Sequence, residues 1–192
     1  MTPVFLSFEY HRPSFPADFY GFTREDRLTY APYAIHYLLN GEDIDYLGNL
    51  TFPDGQSLFN ARELHHMVDV KVFTQLAFAF AIVAGLLAIG AAAFLRRRPT
   101  HFWAALRNGA LLTIAIIAAI ALTAIFNWEF FFTGFHKLFF ESGTWQFLYS
   151  DTLIRLFPEQ FWFDAALTVG GLTLLGAIFA LIVTWRWRRQ TT

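Results

Sequence analysis

The stretch that decides the fold is VFTQLAFAFAIVAGLLAIGAAAFL, residues 72–95, which contains no charged side chain. A helix that crosses a bilayer core of roughly 30 Å needs about 20 mainly apolar residues. Within lipid every backbone polar group needs a partner in its own segment, so this stretch must be helical. It follows NARELHHMVDVK, residues 60–71, where Asn60 and Glu63 form a helix-capping pattern. We predict one helix that begins there and runs unbroken into the membrane.

Two further stretches, residues 109–126 and 165–185, are apolar and long enough to cross a membrane. Of the 192 residues, 56% are hydrophobic, and the mean hydropathy of +0.41 is typical of membrane proteins. The sequence therefore predicts an all-α integral membrane protein with three transmembrane helices. Residues 1–71 precede the first span and carry no signal peptide. We therefore expect a fourth, N-terminal transmembrane helix that this sequence lacks. The alternative is a first span with its N-terminal end outside, which carries residues 1–71 across the membrane.

Charge patterning predicts the orientation of these spans. All 15 acidic residues lie within residues 1–71 or 127–164, whereas the loop 96–108 and the tail 186–192 contain arginines and no acid. Because positively charged loops stay in the cytoplasm, the two acidic segments are predicted to face outward. The protein is thus expected to be a multi-pass protein of the cytoplasmic membrane with an extracytoplasmic functional face. The arginines are Arg96, Arg97, Arg98, Arg107, Arg186, Arg188 and Arg189.

The first outer segment is predicted to form a mostly helical extracytoplasmic domain. Thr23 followed by Asp26 resembles a helix start, because a hydroxyl and a carboxylate can bind free backbone N–H groups. That helix is expected to break or kink at Pro32 and to be closed by Gly41. The sequence FPDGQS, residues 52–57, is typical of a turn.

The second outer segment, residues 127–164, is too aromatic for a solvated loop. It is predicted to lie in the outer membrane interface, half in lipid. Within it, Asp151 is expected to cap a helix, and Pro158 is expected to end or kink that helix. His136 lies near its start, in the sequence GFHKLFF.

The composition excludes several classes of function. A net charge of −1 gives no indication of nucleic-acid binding. The chain contains no cysteine, which excludes thiolate catalysis, disulfides and cysteine-based zinc sites.

His66 and His136 are the candidate functional side chains, because polar groups near lipid are costly and imidazole suits acid–base chemistry near neutral pH. Alternatively, each could be an ordinary histidine at the membrane interface without a catalytic role. One could take a proton from a nucleophile while the other donates to a leaving oxygen. Glu63 and Asp69 lie on the same side of the predicted helix as His66. Their carboxylates could orient a histidine, or they could only cap the helix end. Lys71 could simply reach lipid phosphates.

Other functions stay open on the residues alone. His66, Asp69 and His136 could bind zinc, although no HExxH spacing is present. A bis-histidine haem is conceivable, but it would require ligands deeper in a helix bundle. A non-enzymatic binding or assembly protein, whose outer domain docks a partner, is the alternative from a different class.

Four motifs, in this order, resemble the bacterial lipoprotein intramolecular transacylase family of integral membrane proteins. They are FPADFYGFTREDRLTYAPYAIHYLL (15–39), RELHHMVDVK (62–71), FHKLFFESGTWQF (135–147) and SDTLIRLFPEQFWFD (150–164). The resemblance covers essentially the whole chain. Members of that family carry a further N-terminal helix, which agrees with the fourth span expected above.

The resemblance implies that an acyl chain moves from the glycerol sn-2 oxygen of a diacylglyceryl lipoprotein to the α-amino group of its N-terminal cysteine. His66 and His136 match the two histidines on which the family relies. The implied partners are diacylated lipoproteins and membrane lipid, and no cofactor or metal is expected. The implied supporting residues are Glu63, Asp69, Lys71 and Asp151, and the candidates for an acyl-chain pocket are Phe135, Phe139, Phe140 and Trp145.

Overall fold

The computed structural model describes residues 2–141 and 143–191, and that part of the chain is mainly α-helical. It contains no strand, and only an isolated bridge pairs Thr51 with Ser57. The predicted all-α class is therefore confirmed. The helices are α1 (Pro3–His11), α2 (Arg24–Leu39), α3 (Asp45–Gly48), α4 (Ala61–Leu95), α5 (Pro99–Phe126), α6 (Trp128–Phe139), α7 (Thr152–Leu156) and α8 (Glu159–Thr191).

Three helices, α4, α5 and α8, are long and apolar enough to cross a membrane, as the sequence predicts. α4 begins directly after Asn60 and continues without a break through residues 72–95. α5 begins at Pro99, so only residues 96–98 of the predicted loop 96–108 lie outside a helix. Proline suits the first helical turn, because its φ is preset and its missing N–H would have no partner there.

The chain divides into two compact units. The head unit comprises Met1–Ala79 and His136–Asp164, and the membrane unit comprises Phe80–Phe135 and Ala165–Thr192. Within the membrane unit most of the large apolar side chains are exposed, which is the surface that lipid solvates. Trp103 stacks on Trp187 there, with ring centroids 5.4 Å apart.

The head unit has a hydrophobic core of the kind found in water-soluble domains. Arg27 is buried beside this core, where its Nε donates to the Arg155 carbonyl at 2.9 Å and its Nη1 to the Pro16 carbonyl at 2.7 Å. Burial lowers the pKa of the Arg27 guanidinium. The bonds fasten the segment around α7 to the N-terminal helices. The core side chains include Leu6, Tyr10, Ala31, Ala34, Leu47, Leu156 and Phe161.

α2 passes through Pro32, so of the predicted break or kink the break is wrong. Ala31 and Ala34, on either side of the proline, are fully buried in the core. Their packing holds the helix together although the proline lacks an N–H to donate. α2 ends at Leu39, two residues before Gly41.

The capping signal at the start of α2 and the predicted turn at residues 52–57 are confirmed. Thr23 and Asp26 form a reciprocal capping box at the start of α2. In the predicted turn, the Phe52 N–H donates to the Gln56 carbonyl at 2.8 Å. Gly55 has a φ of +84°, a left-handed conformation that favours glycine.

Candidate functional site

The start of α4 is fixed by a buried carboxylate. One Glu63 oxygen accepts the backbone N–H of Asn60 at 2.7 Å, and the other accepts that of Leu153 at 2.6 Å. The Asn60 side-chain oxygen accepts the Glu63 N–H in return at 3.1 Å. The predicted capping pattern is therefore present, and Glu63, only 1% exposed, also joins α4 to α7. Both oxygens of Glu63 are used for structure rather than for a histidine.

His66 lies one turn later on α4 and is 9% exposed. The rings of Phe140 and Phe147 pack edge-on against it, with centroids at 5.2 Å and 5.3 Å. Its Nδ1 has no hydrogen-bond partner within the described ranges. An apolar, buried surrounding disfavours the imidazolium, so the neutral ring is favoured. A neutral imidazole is the form that can act as a general base.

His136 lies near the end of α6, and its ring centroid is 6.3 Å from that of His66. Trp145 packs on His136 at 4.8 Å, and Phe140 lies 5.5 Å from it, so Phe140 touches both histidines. A 6.3 Å separation is too long for a direct hydrogen bond between ring nitrogens. The two imidazoles are therefore neighbours without a direct hydrogen bond between them.

The other charged residues of the α4 motif are turned away from this pair. Asp69 forms a long ion pair with the exposed His65, with Oδ2 and Nε2 3.8 Å apart, rather than orienting His66. Lys71 donates to the Asn40 side-chain oxygen at 3.2 Å and to the Glu42 carbonyl. Its ammonium also lies 4.0 Å from the centre of a tyrosine ring in α2. Lys71 thus holds α4 to the end of α2.

Asp151 stands at the predicted cap position of α7, but its side chain does not cap that helix. One oxygen accepts the N–H of Leu148 at 2.8 Å, and the other accepts the Asn60 side-chain amide at 3.1 Å. α7 ends at Leu156, directly before the Phe157–Pro158 step, as predicted. Asp151 therefore joins the segment 148–151 to the start of α4.

The predicted acyl-pocket residues differ in how close they lie to the histidine rings. Phe140 and Trp145 contact the histidine rings directly. Phe139 packs on Phe73 with centroids 4.7 Å apart, and Phe73 packs in turn on Phe140. Phe139 is therefore connected to the histidine pair through other rings. Phe135 belongs to the membrane unit and is 37% exposed.

Sequence reasoning missed Phe147, Phe73 and Arg62. Phe147 contacts His66, Phe73 packs on Phe140 at 5.8 Å, and Arg62 donates to the Gln146 carbonyl at 3.1 Å. A usable signal for Phe73 is its position seven residues after His66, which places both on one helix face. No sequence pattern marks the other two contacts, because they join segments more than 80 residues apart.

The zinc alternative has no geometric support in residues 2–141 and 143–191. No group of three or more His, Cys, Asp or Glu side chains that could hold a metal ion occurs there. Asp69, the third ligand of the zinc hypothesis, pairs with His65 instead.

Comparison with known proteins identifies relatives over most of the chain. A family model described as "Lipoprotein intramolecular transacylase Lit" matches residues 1–162. An uncharacterized protein of Aquifex aeolicus is 32% identical over 177 residues, which cover 92% of this chain and 80% of that protein. The structure of the membrane integral lipoprotein intramolecular transacylase Lit from Bacillus cereus is similar, with a TM-score of 0.73 and 26% identity. That match covers 88% of this chain and 77% of the other.

Proposed function

The chain belongs to the lipoprotein intramolecular transacylase family, and on that premise we propose that it moves the sn-2 acyl chain of a diacylglyceryl lipoprotein to the N-terminal cysteine amine. His66 and His136 act as the acid–base pair in this proposal. The observation that supports it most is the proximity of the two imidazoles. They come from distant segments of the chain, and their ring centroids lie 6.3 Å apart among aromatic side chains.

The reaction needs little beyond alignment and proton transfer. The amine nitrogen attacks the ester carbonyl, the carbon–nitrogen bond forms and the bond to the glycerol oxygen breaks. The proton leaves the amine and ends on that oxygen. Because both groups belong to one molecule, alignment is worth an effective molarity on the order of 10⁵ M or more. An amide replaces an ester, so no energy-supplying cofactor is required.

We assign His66 as the base toward the amine and His136 as the acid toward the glycerol oxygen. The burial of His66 favours its neutral form, which a base needs. Positioned acid–base catalysis of this kind is worth roughly 10² to 10⁴ in rate. The aromatic rings of Phe139, Phe140 and Trp145 would provide apolar surface for the acyl chains.

The test is a lipoprotein co-expressed with the full chain and analysed at its N-terminus by mass spectrometry. His66→Ala and His136→Ala should each lower the amount of lyso-form, N-acylated product by roughly 10² or more. His101→Ala, at an exposed histidine in the membrane unit, is the matched control and should leave the product unchanged. Unchanged product from either of the first two variants would exclude the histidine mechanism.

We also propose that the head unit faces the extracytoplasmic side of the cytoplasmic membrane, at the outer leaflet. The support is the charge pattern: the arginines between α4 and α5 and at the end of α8 are typical of cytoplasmic ends. Because the chain has no cysteine, single cysteines can be introduced cleanly. Glu25→Cys should react with a membrane-impermeant maleimide in intact cells, and Arg97→Cys only after lysis. The reverse pattern would contradict this orientation.

A further inference from the structure

The loop of residues 143–151 brings two aromatic side chains onto the histidine pair. Trp145 lies on His136 with centroids 4.8 Å apart, and Phe147 lies on His66 at 5.3 Å. Trp145 is 9% exposed, although the loop's neighbouring side chains Leu148 and Tyr149 are largely in solvent. We refer to residues 143–151 as the aromatic loop.

The aromatic loop is fastened to the start of α4, the helix that carries His66. Arg62 donates to the Gln146 carbonyl at 3.1 Å, and the Asn60 amide donates to Asp151 at 3.1 Å. These hydrogen bonds lie at the surface, since Asn60, Arg62 and Gln146 are exposed. The start of α4 therefore positions both His66 and the aromatic loop. The hydrogen bonds that do so are at the surface, where a substrate need not contact them.

The polar side chains closest in sequence to His66 are occupied elsewhere. Glu63 binds two backbone N–H groups, Asp69 pairs with His65, and Lys71 is bound at the end of α2. The ring contacts of His66 are with His136, Phe140 and Phe147. An imidazole in such a surrounding has few groups beside it that would hold a water molecule for attack.

We propose that Phe147, held by the Arg62 tether, makes the site transfer the acyl chain to the amine rather than to water; this inference rests on the proposed function. Both reactions break the same bond between the acyl carbonyl carbon and the glycerol oxygen. In transfer the amine nitrogen bonds to that carbon. In hydrolysis a water oxygen bonds to it, a proton goes to the glycerol oxygen, and a free fatty acid leaves. The same histidine base would serve either nucleophile, so exclusion of water decides the outcome.

The experiment uses the full chain in liposomes with a synthetic diacylglyceryl lipopeptide, and mass spectrometry measures free fatty acid and N-acylated peptide together. Phe147→Ala should raise the ratio of fatty acid to N-acylated product by about tenfold. Arg62→Ala should raise it in the same direction by a smaller factor. Phe147→Leu, which keeps an apolar side chain, should restore the parent ratio in part. Tyr149→Ala, at an exposed ring in the same loop, is the matched control.

The two levels of the proposal fail in different ways. If the parent chain makes no N-acylated product from the lipopeptide, the proposed function fails. If the parent makes it, but Phe147→Ala and Arg62→Ala only slow it at an unchanged ratio, the role in excluding water is overturned and acyl transfer stands. Arg62 is exposed, so its variant tests the inference even if Phe147→Ala folds poorly.

Discussion

The head unit and the membrane unit are both helical, yet their buried side chains differ in size. The core of the head unit contains large side chains such as Phe161, Leu156 and Tyr10. In the described part of the membrane unit, the buried residues are all small: Ala110, Ala165, Ala177 and Thr184. Water drives large apolar groups inward, whereas lipid is as apolar as leucine and leaves only close packing to favour burial. The difference in the size of the buried side chains therefore indicates that water surrounds the head unit and lipid surrounds the membrane unit.

Charged groups show the same contrast. In the head unit Arg155 pairs with Asp18 at 3.2 Å and also donates to the Tyr20 carbonyl at 3.1 Å. Arg12 pairs with the buried Asp164. In the membrane unit the charged residues lie near helix ends, outside the apolar stretches. Polar side chains thus specify the tertiary contacts of the head unit, and the histidine pair lies in this unit.

The largest expected effect comes from placing one charge at equally apolar, exposed leucines of the two units. Leu172 in α8 is 66% exposed and Leu39 in α2 is 54% exposed. Leu172→Arg should reduce membrane insertion, because arginine at a span's centre costs about 3 kcal/mol. Leu39→Arg should change the free energy of unfolding by less than about 0.5 kcal/mol. A glycosylation-reporter insertion assay and thermal unfolding in detergent measure these effects. Equal tolerance at both sites would break the comparison.

A smaller effect is expected at the carboxylate that joins α4 to α7. Glu63→Ala leaves the N–H groups of Asn60 and Leu153 without their acceptor, and should lower the free energy of unfolding by about 2 to 3 kcal/mol. Glu63→Gln retains one oxygen acceptor and should lose less. Glu25→Ala, at an exposed glutamate of α2, is the control. Chemical unfolding in detergent gives the values, and a loss no greater than that of the control would refute the bridging role.

The smallest effect is expected at a single neutral hydrogen bond in the core. Tyr10 donates its hydroxyl to the Leu156 carbonyl at 2.8 Å, and burial raises the pKa of the Tyr10 phenol, so it stays protonated. Tyr10→Phe removes the donor and leaves a buried carbonyl, which should cost about 1 kcal/mol. The melting temperature in detergent should fall by a few degrees. An unchanged melting temperature would mean that the core tolerates the unpaired carbonyl.

Much of the fold was readable from the order of residues. The apolar stretch 72–95 and the capping pattern at Asn60 and Glu63 predicted the membrane helix α4. The orientation that the arginine clusters indicate stays a prediction. Prediction was weaker where local rules compete with packing. Pro32 alone favours a break in α2, but the buried alanines beside it keep the helix continuous. The early start of α5 was missed because residues 99–108 lack the apolar density that marks a span.

The candidate site was predicted only as far as its separate parts. The sequence identified His66 and His136, and it proposed Asp69 as a partner of a histidine. On a helix, residues three and four apart are both neighbours of Asp69, and the structure pairs it with His65 rather than His66. The choice depends on which side of α4 is covered by aromatic rings from α6 and the aromatic loop.

The sequence by itself determined that this family member is a helical membrane protein, with three candidate spans in the described residues, because the length of apolar runs is a property of a linear chain. Only the tertiary structure decided that the two histidines are neighbours at 6.3 Å, that Phe147 covers one of them, and that Glu63 bridges two helices. These contacts join segments about 70 to 90 residues apart. Such distances are closed by burial and by the pairing of buried polar groups, which no local pattern encodes.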